Sequence, residues 1–129
     1  MIVTNGFLEG LEVRVLIDLG ATENFLSKTM AIKLGLPLRD DDNEELELPN
    51  GHTESIELLF KSVELQIGSY RENLEWKVIR LARYDVILGM PWMEQYNPEV
   101  DWRKKIVKIK NGEFLEIRFD LKKKTYHYM

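Results

Sequence analysis

Residues 15–27 read VLIDLGATENFLS. Val15, Leu16 and Ile17 have the character of a buried strand, and they run straight into the carboxylate of Asp18. Gly20 breaks that strand, and Ala21 and Thr22 continue the turn. An Asp at a strand end ordinarily serves as a turn or cap residue. A catalytic reading asks for more: a second carboxylate, a water between the two, and a cover that excludes solvent.

Upstream, Ile2 to Leu8 and Leu11 to Ile17 flank Glu9-Gly10 and read as a hairpin. In its second strand Leu11, Val13, Val15 and Ile17 share one face, and Glu12, Arg14, Leu16 and Asp18 share the other. Downstream, Ser27 is placed to cap a short helix, with Met30, Ile32 or Leu34 facing inward and Gly35 ending it. Glu44 to Leu48 and Thr53 to Phe60 then flank Pro49-Asn50-Gly51-His52, and Asn-Gly is a strong hairpin signal. The arms of this hairpin, about 44–59, carry Glu44, Glu45, Glu47, Glu54 and Glu57, so it is expected to project into solvent. The acidic run Arg39 to Glu47, which overlaps the first arm, reads as a solvated loop.

Ser62 to Ile67 and Leu74 to Leu81 look like further strands linked near Gly68, and Tyr84 to Leu88 is a short strand ending at Gly89. The strand-to-glycine signal of Gly20 therefore recurs. Pro91 suits the first turn of a helix through Gln95. A last hairpin, about 105–119, turns at Asn111-Gly112. Nothing alternates strand with helix in the manner of a parallel sheet, so the class is all-β with one or two short helices.

The length of 129 residues fits a single domain over 1–129, and 44% hydrophobic residues suffice for a core. A net charge of -4 provides no basic field for nucleic acid. Arg103, Lys104, Lys105, Lys108, Lys110 and Lys122 to Lys124 read as a solvated face. With no cysteine, disulfides, thiol catalysis and thiolate metal sites are excluded. His52 and His127 are too distant to suggest a metal site, and His52 reads as an exposed turn residue. No apolar run approaches a membrane span, and a soluble, cytoplasmic protein is expected. Trp92 and Trp102 are expected in the core, Trp76 on the sheet beside the acidic arms, and Asp101 in the turn before the last hairpin.

No other Asp repeats the context of Asp18: Asp85 precedes VILG and Asp101 stands in VDW. If Asp18 is half of a carboxylate pair, a second copy of the chain must supply the other half across a twofold axis.

These motifs together resemble a retroviral-type aspartic protease, a retropepsin, most like those of Ty3/gypsy-type retrotransposon polyproteins. VLIDLGATENFLS is similar to that family's active-site loop, with Phe25 following, and LPNGHTESIEL to its flap. YDVILGMPWMEQYNPEVDW is similar to the segment that ends in two hydrophobic residues and a glycine, here Ile87, Leu88 and Gly89, together with the helix and tail after it. The resemblance implies a symmetric homodimer in which two Asp18 carboxylates share one proton and activate a water without metal or cofactor. Gly20, Ala21 and Thr22 would complete the active-site loop. Asn50, Gly51 and His52 would tip a flap closing over an extended polypeptide. The expected location becomes the cytoplasm or virus-like particles, and the last hairpin is either an added sheet element or a connection toward a neighbouring polyprotein domain.

Leu19 departs from the pattern, which has Ser or Thr there. In the family that hydroxyl bonds across the dimer axis, and leucine neither donates nor accepts. Its loss is expected to weaken the dimer, and Leu19→Ser to tighten it and raise activity. Three readings follow: an inactive or domesticated descendant serving dimerisation or peptide binding, an engineered change that limits self-cleavage, or a rearranged loop that keeps some activity. A weaker rival reading is a cellular retropepsin-like domain used in ubiquitin-linked shuttling factors; the NPEVDW ending argues against it, since that tail resembles the transposon group more.

Overall fold

The computed structural model describes residues 2–47, 53–59, 62–111 and 113–121. Strands β1 (Ile2–Leu8) and β2 (Leu11–Ile17) form the expected hairpin, paired in register from Ile2↔Ile17 to Leu8↔Leu11. After the loop that holds Asp18 come β3 (Phe25–Ser27) and helix α1 (Lys28–Lys33). Ser27 caps this helix, its hydroxyl accepting the Met30 N–H at 3.1 Å. Met30 and Ala31 are the buried helix residues, while Ile32 points to solvent.

Then follow β4 (Leu38–Glu47), β5 (Thr53–Leu59), β6 (Val63–Ile67), β7 (Tyr70–Leu74), β8 (Lys77–Ile79) and β9 (Val86–Leu88). Helix α2 (Met90–Tyr96) precedes β10 (Glu99–Asp101), β11 (Ile106–Asn111), β12 (Glu113–Arg118) and β13 (Asp120–Leu121). One large sheet runs in the order β4-β5-β8-β3-β9-β2-β1-β6-β7, with β13 also on β1; β10-β11-β12 form a second sheet.

Three expectations are corrected here. The acidic run is strand rather than loop: β4 lies at the sheet edge and its backbone pairs with β5. Its register slips between Asp40 and Glu45. The strand expected over Leu74 to Leu81 is two pieces, because β7 ends at Leu74 and Trp76 turns inward to donate its Nε1–H to the Val63 carbonyl at 3.3 Å. Two pairings are parallel, β2 with β9 and β3 with β8. They arise without helical crossovers, because β9 slots between β2 and β3 and pairs antiparallel with the latter.

The main core gathers residues from both sheets, including Leu8, Val15, Leu26, Leu65, Leu88, Trp92, Ile109 and Ile117. A smaller cluster joins Phe25, Ile56 and Ile79 across the neighbouring strands β3, β5 and β8. Behind α2, polar groups pin the helix to β7. Trp92 is fully buried and donates to the Tyr70 hydroxyl at 3.0 Å, and Tyr70 donates to Glu72 at 2.7 Å. Glu72 also accepts from the Tyr96 hydroxyl, and from the Gln95 amide at 2.9 Å. Among the described residues, no helix is long and apolar enough to cross a membrane.

Candidate active site

The parallel pair β2–β9 fixes where Asp18 stands. Val15, Leu16 and Ile17 lie against Val86, Ile87 and Leu88, and the Asp18 N–H continues the ladder to the Leu88 carbonyl at 3.0 Å. Asp18 is half-buried. Its Oδ1 accepts the Gly20 N–H at 2.8 Å, and its carbonyl accepts the Ala21 N–H at 3.2 Å, so the carboxylate is tied into a tight turn. Thr22 is exposed.

Gly89 closes the loop from the other strand. Its N–H is received by Asn24 Oδ1 at 3.0 Å, and the next N–H, of Met90, by the Ala21 carbonyl at 2.9 Å. A Cβ at Gly89 would lie 2.2 Å from the Glu23 carbonyl oxygen and 2.7 Å from that of Ala21. Only glycine permits this approach. Ile87, Leu88 and Gly89 thus form the wall against which the Asp18 loop is folded, with Leu88 fully buried and Ile87 half-buried.

Two supporting residues escaped the reading of the sequence. Asn24 is 7% exposed and holds Gly89, although an Asn in a turn-like stretch carries no periodic signal. Asp85 brackets the approach to the site: its Oδ2 accepts the Arg14 N–H at 2.8 Å, its N–H donates to the Arg14 carbonyl at 3.0 Å, and its carbonyl accepts the Ser27 N–H at 2.8 Å.

Beside Asp18 opens a concavity of about 560 Å³. Ile2, Leu16, Met90, Met93, Val100 and Val107 make its walls, and Leu19 and Trp102 also line it. Trp102 was expected in the core, yet it is 56% exposed. The reason is local: Asp101 Oδ1 accepts the N–H groups of Arg103 and Lys104 at 3.1 and 3.0 Å, and this turn leaves the indole outside the core, where among the described residues its ring contact is a T-shaped one with Phe119. These bonds hold the Asp101 carboxyl below its usual range, the Lys104 N–H foremost. Leu19 itself is 75% exposed.

Asn50, Gly51 and His52 lie outside the described residues, as does His127. The hairpin that would carry the flap is present up to Glu47 and from Thr53, and its base is anchored where Glu57 and Leu58 pair with Val78 and Lys77. Lys28 bonds to Glu57 across that base. Among the described residues no group of three or more His, Asp or Glu could hold a metal ion.

Comparison with known proteins places this arrangement. Among solved structures, the retroviral protease-like domain of Ddi1 from Leishmania major matches over 94% of each chain, with TM-score 0.70 and 15% identity. EIAV protease, in complex with the inhibitor HBY-793, matches 72% of this chain and 85% of its own, with TM-score 0.57 and 16% identity. A retropepsin-like aspartic protease from Rickettsia conorii matches 89% of this chain and 88% of its own, with TM-score 0.56 and 21% identity. At such identities the likeness is one of fold, and that fold is retropepsin-like. The model of the PEG10/RTL1 protease domain matches residues 14–115, a span from β2 into β12 that takes in both Asp18 and Gly89. This chain is a member of the PEG10/RTL1 protease domain family, with a retropepsin-like aspartic-protease fold.

Proposed function

We propose that this chain is the aspartic endopeptidase domain of a Ty3/gypsy-type retrotransposon polyprotein and acts as a homodimer, in the cytoplasm or within virus-like particles. The observation that carries the reading is the placement of Asp18: a half-buried carboxylate, fixed at the end of a parallel strand pair, beside an apolar concavity. One chain supplies one such Asp. Two copies related by a twofold axis near Asp18 bring the carboxylates together, and like charges at that distance retain one proton between them.

The ionised member takes a proton from the water held between them as its oxygen bonds to the peptide carbonyl carbon. The protonated member donates to the carbonyl oxygen. The tetrahedral species then collapses: the carboxyl that took the water's proton gives it to the leaving nitrogen, the C–N bond breaks, and a hydroxyl of the gem-diol returns its proton to the other carboxylate. The β4–β5 hairpin covers an extended substrate and excludes water. The chemistry needs no metal or cofactor. Asp18→Asn is expected to abolish cleavage of peptides spanning polyprotein junctions while leaving the fold intact. Retained cleavage by that variant would overturn the reading.

Leu19 favours a second reading, a silent protease-like module that dimerises or binds peptide, because no hydroxyl follows the Asp. Turnover measured for the native chain and for Leu19→Ser separates the two. Activity only in the serine form supports the silent module, and equal turnover removes Leu19 from the explanation.

A further inference from the structure

We propose that Leu19 of each copy enters the apolar concavity of the other, so that the two active-site loops are joined by an apolar clasp. This rests on the pairing of two Asp18 residues proposed above and names what holds that pair together.

Leu19 is the most exposed of the large apolar side chains among the described residues, at 75%. Trp102, also exposed, lines the same apolar concavity, so Leu19 belongs to a contiguous apolar patch of the kind that marks an interaction surface rather than standing as a lone surface side chain. Its own concavity lies alongside it and is apolar. The ionisable groups lining it are Asp18 and Glu94 alone. The solvent-facing Leu19 leaves that space open.

The occupant follows from symmetry. Asp18 and Leu19 are adjacent in the chain and line the same concavity. A copy whose Asp18 comes up to this Asp18 therefore brings its Leu19 to the mouth of this concavity, and the reverse holds. A substrate is the weaker candidate. The lining comes from β1, the end of β2, α2, β10 and β11 with their neighbouring loops, and includes nothing from β4, β5 or β8. From the covering hairpin, Ile56 instead joins a separate apolar cluster with Phe25 of β3 and Ile79 of β8. Peptide held by the hairpin would therefore lie on the β5–β8 side of the sheet and leave the concavity to the second copy.

The clasp reverses the sign expected for Leu19→Ser. If leucine only deletes a hydroxyl bond, serine tightens the dimer. If leucine is the inserted group, serine and alanine both loosen it. Sedimentation equilibrium on the full chain and on Leu19→Ser, Leu19→Ala and Leu19→Met decides. Serine and alanine are each expected to weaken the dimer about 100-fold, roughly tenfold for each of two leucines. Methionine, which conserves volume, should stay within about tenfold of the native chain.

A second readout reports the site directly. Trp76 and Trp92 are buried, so a soluble quencher reads Trp102 at the concavity. Trp102 should be shielded in the native dimer and quenched on dilution. In Leu19→Ala it should be quenched at concentrations where the native chain is shielded. A dimer that Leu19→Ser leaves equal or tighter overturns the clasp and spares the pairing. A native chain that stays monomeric at every concentration overturns both.

Discussion

Gly20 and Gly89 follow neighbouring parallel strands, yet they are glycines for different reasons. A Cβ on Gly89 would collide with two backbone carbonyls, of Glu23 and Ala21, neither of which can step aside without opening the loop. A Cβ on Gly20 would meet only the Asp18 Oδ1, at 3.3 Å. Neither residue has a positive φ, so backbone strain is not the reason in either case. The requirement at Gly89 is satisfied inside one chain. At Gly20 one chain barely needs a glycine, and the requirement falls on what approaches the loop from outside. The same division runs through the site: its walls are built within one chain, and its open side is where the proposed second copy and substrate would approach.

The largest effect expected from this contrast is at Gly89→Ala. Two sub-van-der-Waals contacts with backbone should lower stability by about 3 kcal/mol or more, read by chemical denaturation. Gly20→Ala should stay within about 1 kcal/mol by the same measurement yet lose activity. Equal destabilisation by both would break the comparison. Next is Asn24→Ala, which strands the buried Gly89 N–H and should lower stability by about 2 kcal/mol. Ser27→Ala removes the cap of α1 and should lower the unfolding free energy by about 1 kcal/mol, with the Asp18 loop unchanged.

The smallest effect concerns α2, which carries the chain away from Gly89. Burial, with the Glu72 carboxylate it bonds, pushes the Tyr96 phenol up to about 12. Tyr70 is raised further, first by burial and then by Glu72. A phenol whose folded pKa lies above its unfolded value of 10.0 binds its proton more tightly when folded. Its contribution is therefore complete below pH 10 and declines as pH rises toward 12. Denaturation midpoints measured across that range should fall less steeply in Tyr96→Phe than in the native chain.

Much of this was legible in the chain. The β1–β2 hairpin matches its expected limits because alternation and the Glu9-Gly10 turn agree. Ser27 caps α1 as read, and Asp101 orders its turn as read. What escaped was short or non-local. Strands β3, β10 and β13 have three, three and two residues, too few to show a period. Leu16, on the face shared with Arg14 and Asp18, is 3% exposed and belongs to the concavity wall. It shares that wall with residues such as Met90 and Val107, which lie far along the chain. Trp102 is hydrophobic by composition and exposed by the geometry of one turn. The Asp18-to-Gly20 motif is local and visible, while the cavity beside it is assembled from five elements and no spacing encodes it.

The central claim is that one chain holds half of a catalytic site. Peptidase activity measured against protein concentration, with and without added Asp18→Asn chain, tests it most directly. The account predicts activity rising as the square of concentration in dilute solution and suppressed by the Asp18→Asn chain through mixed pairs. Activity linear in concentration and indifferent to that chain would contradict it.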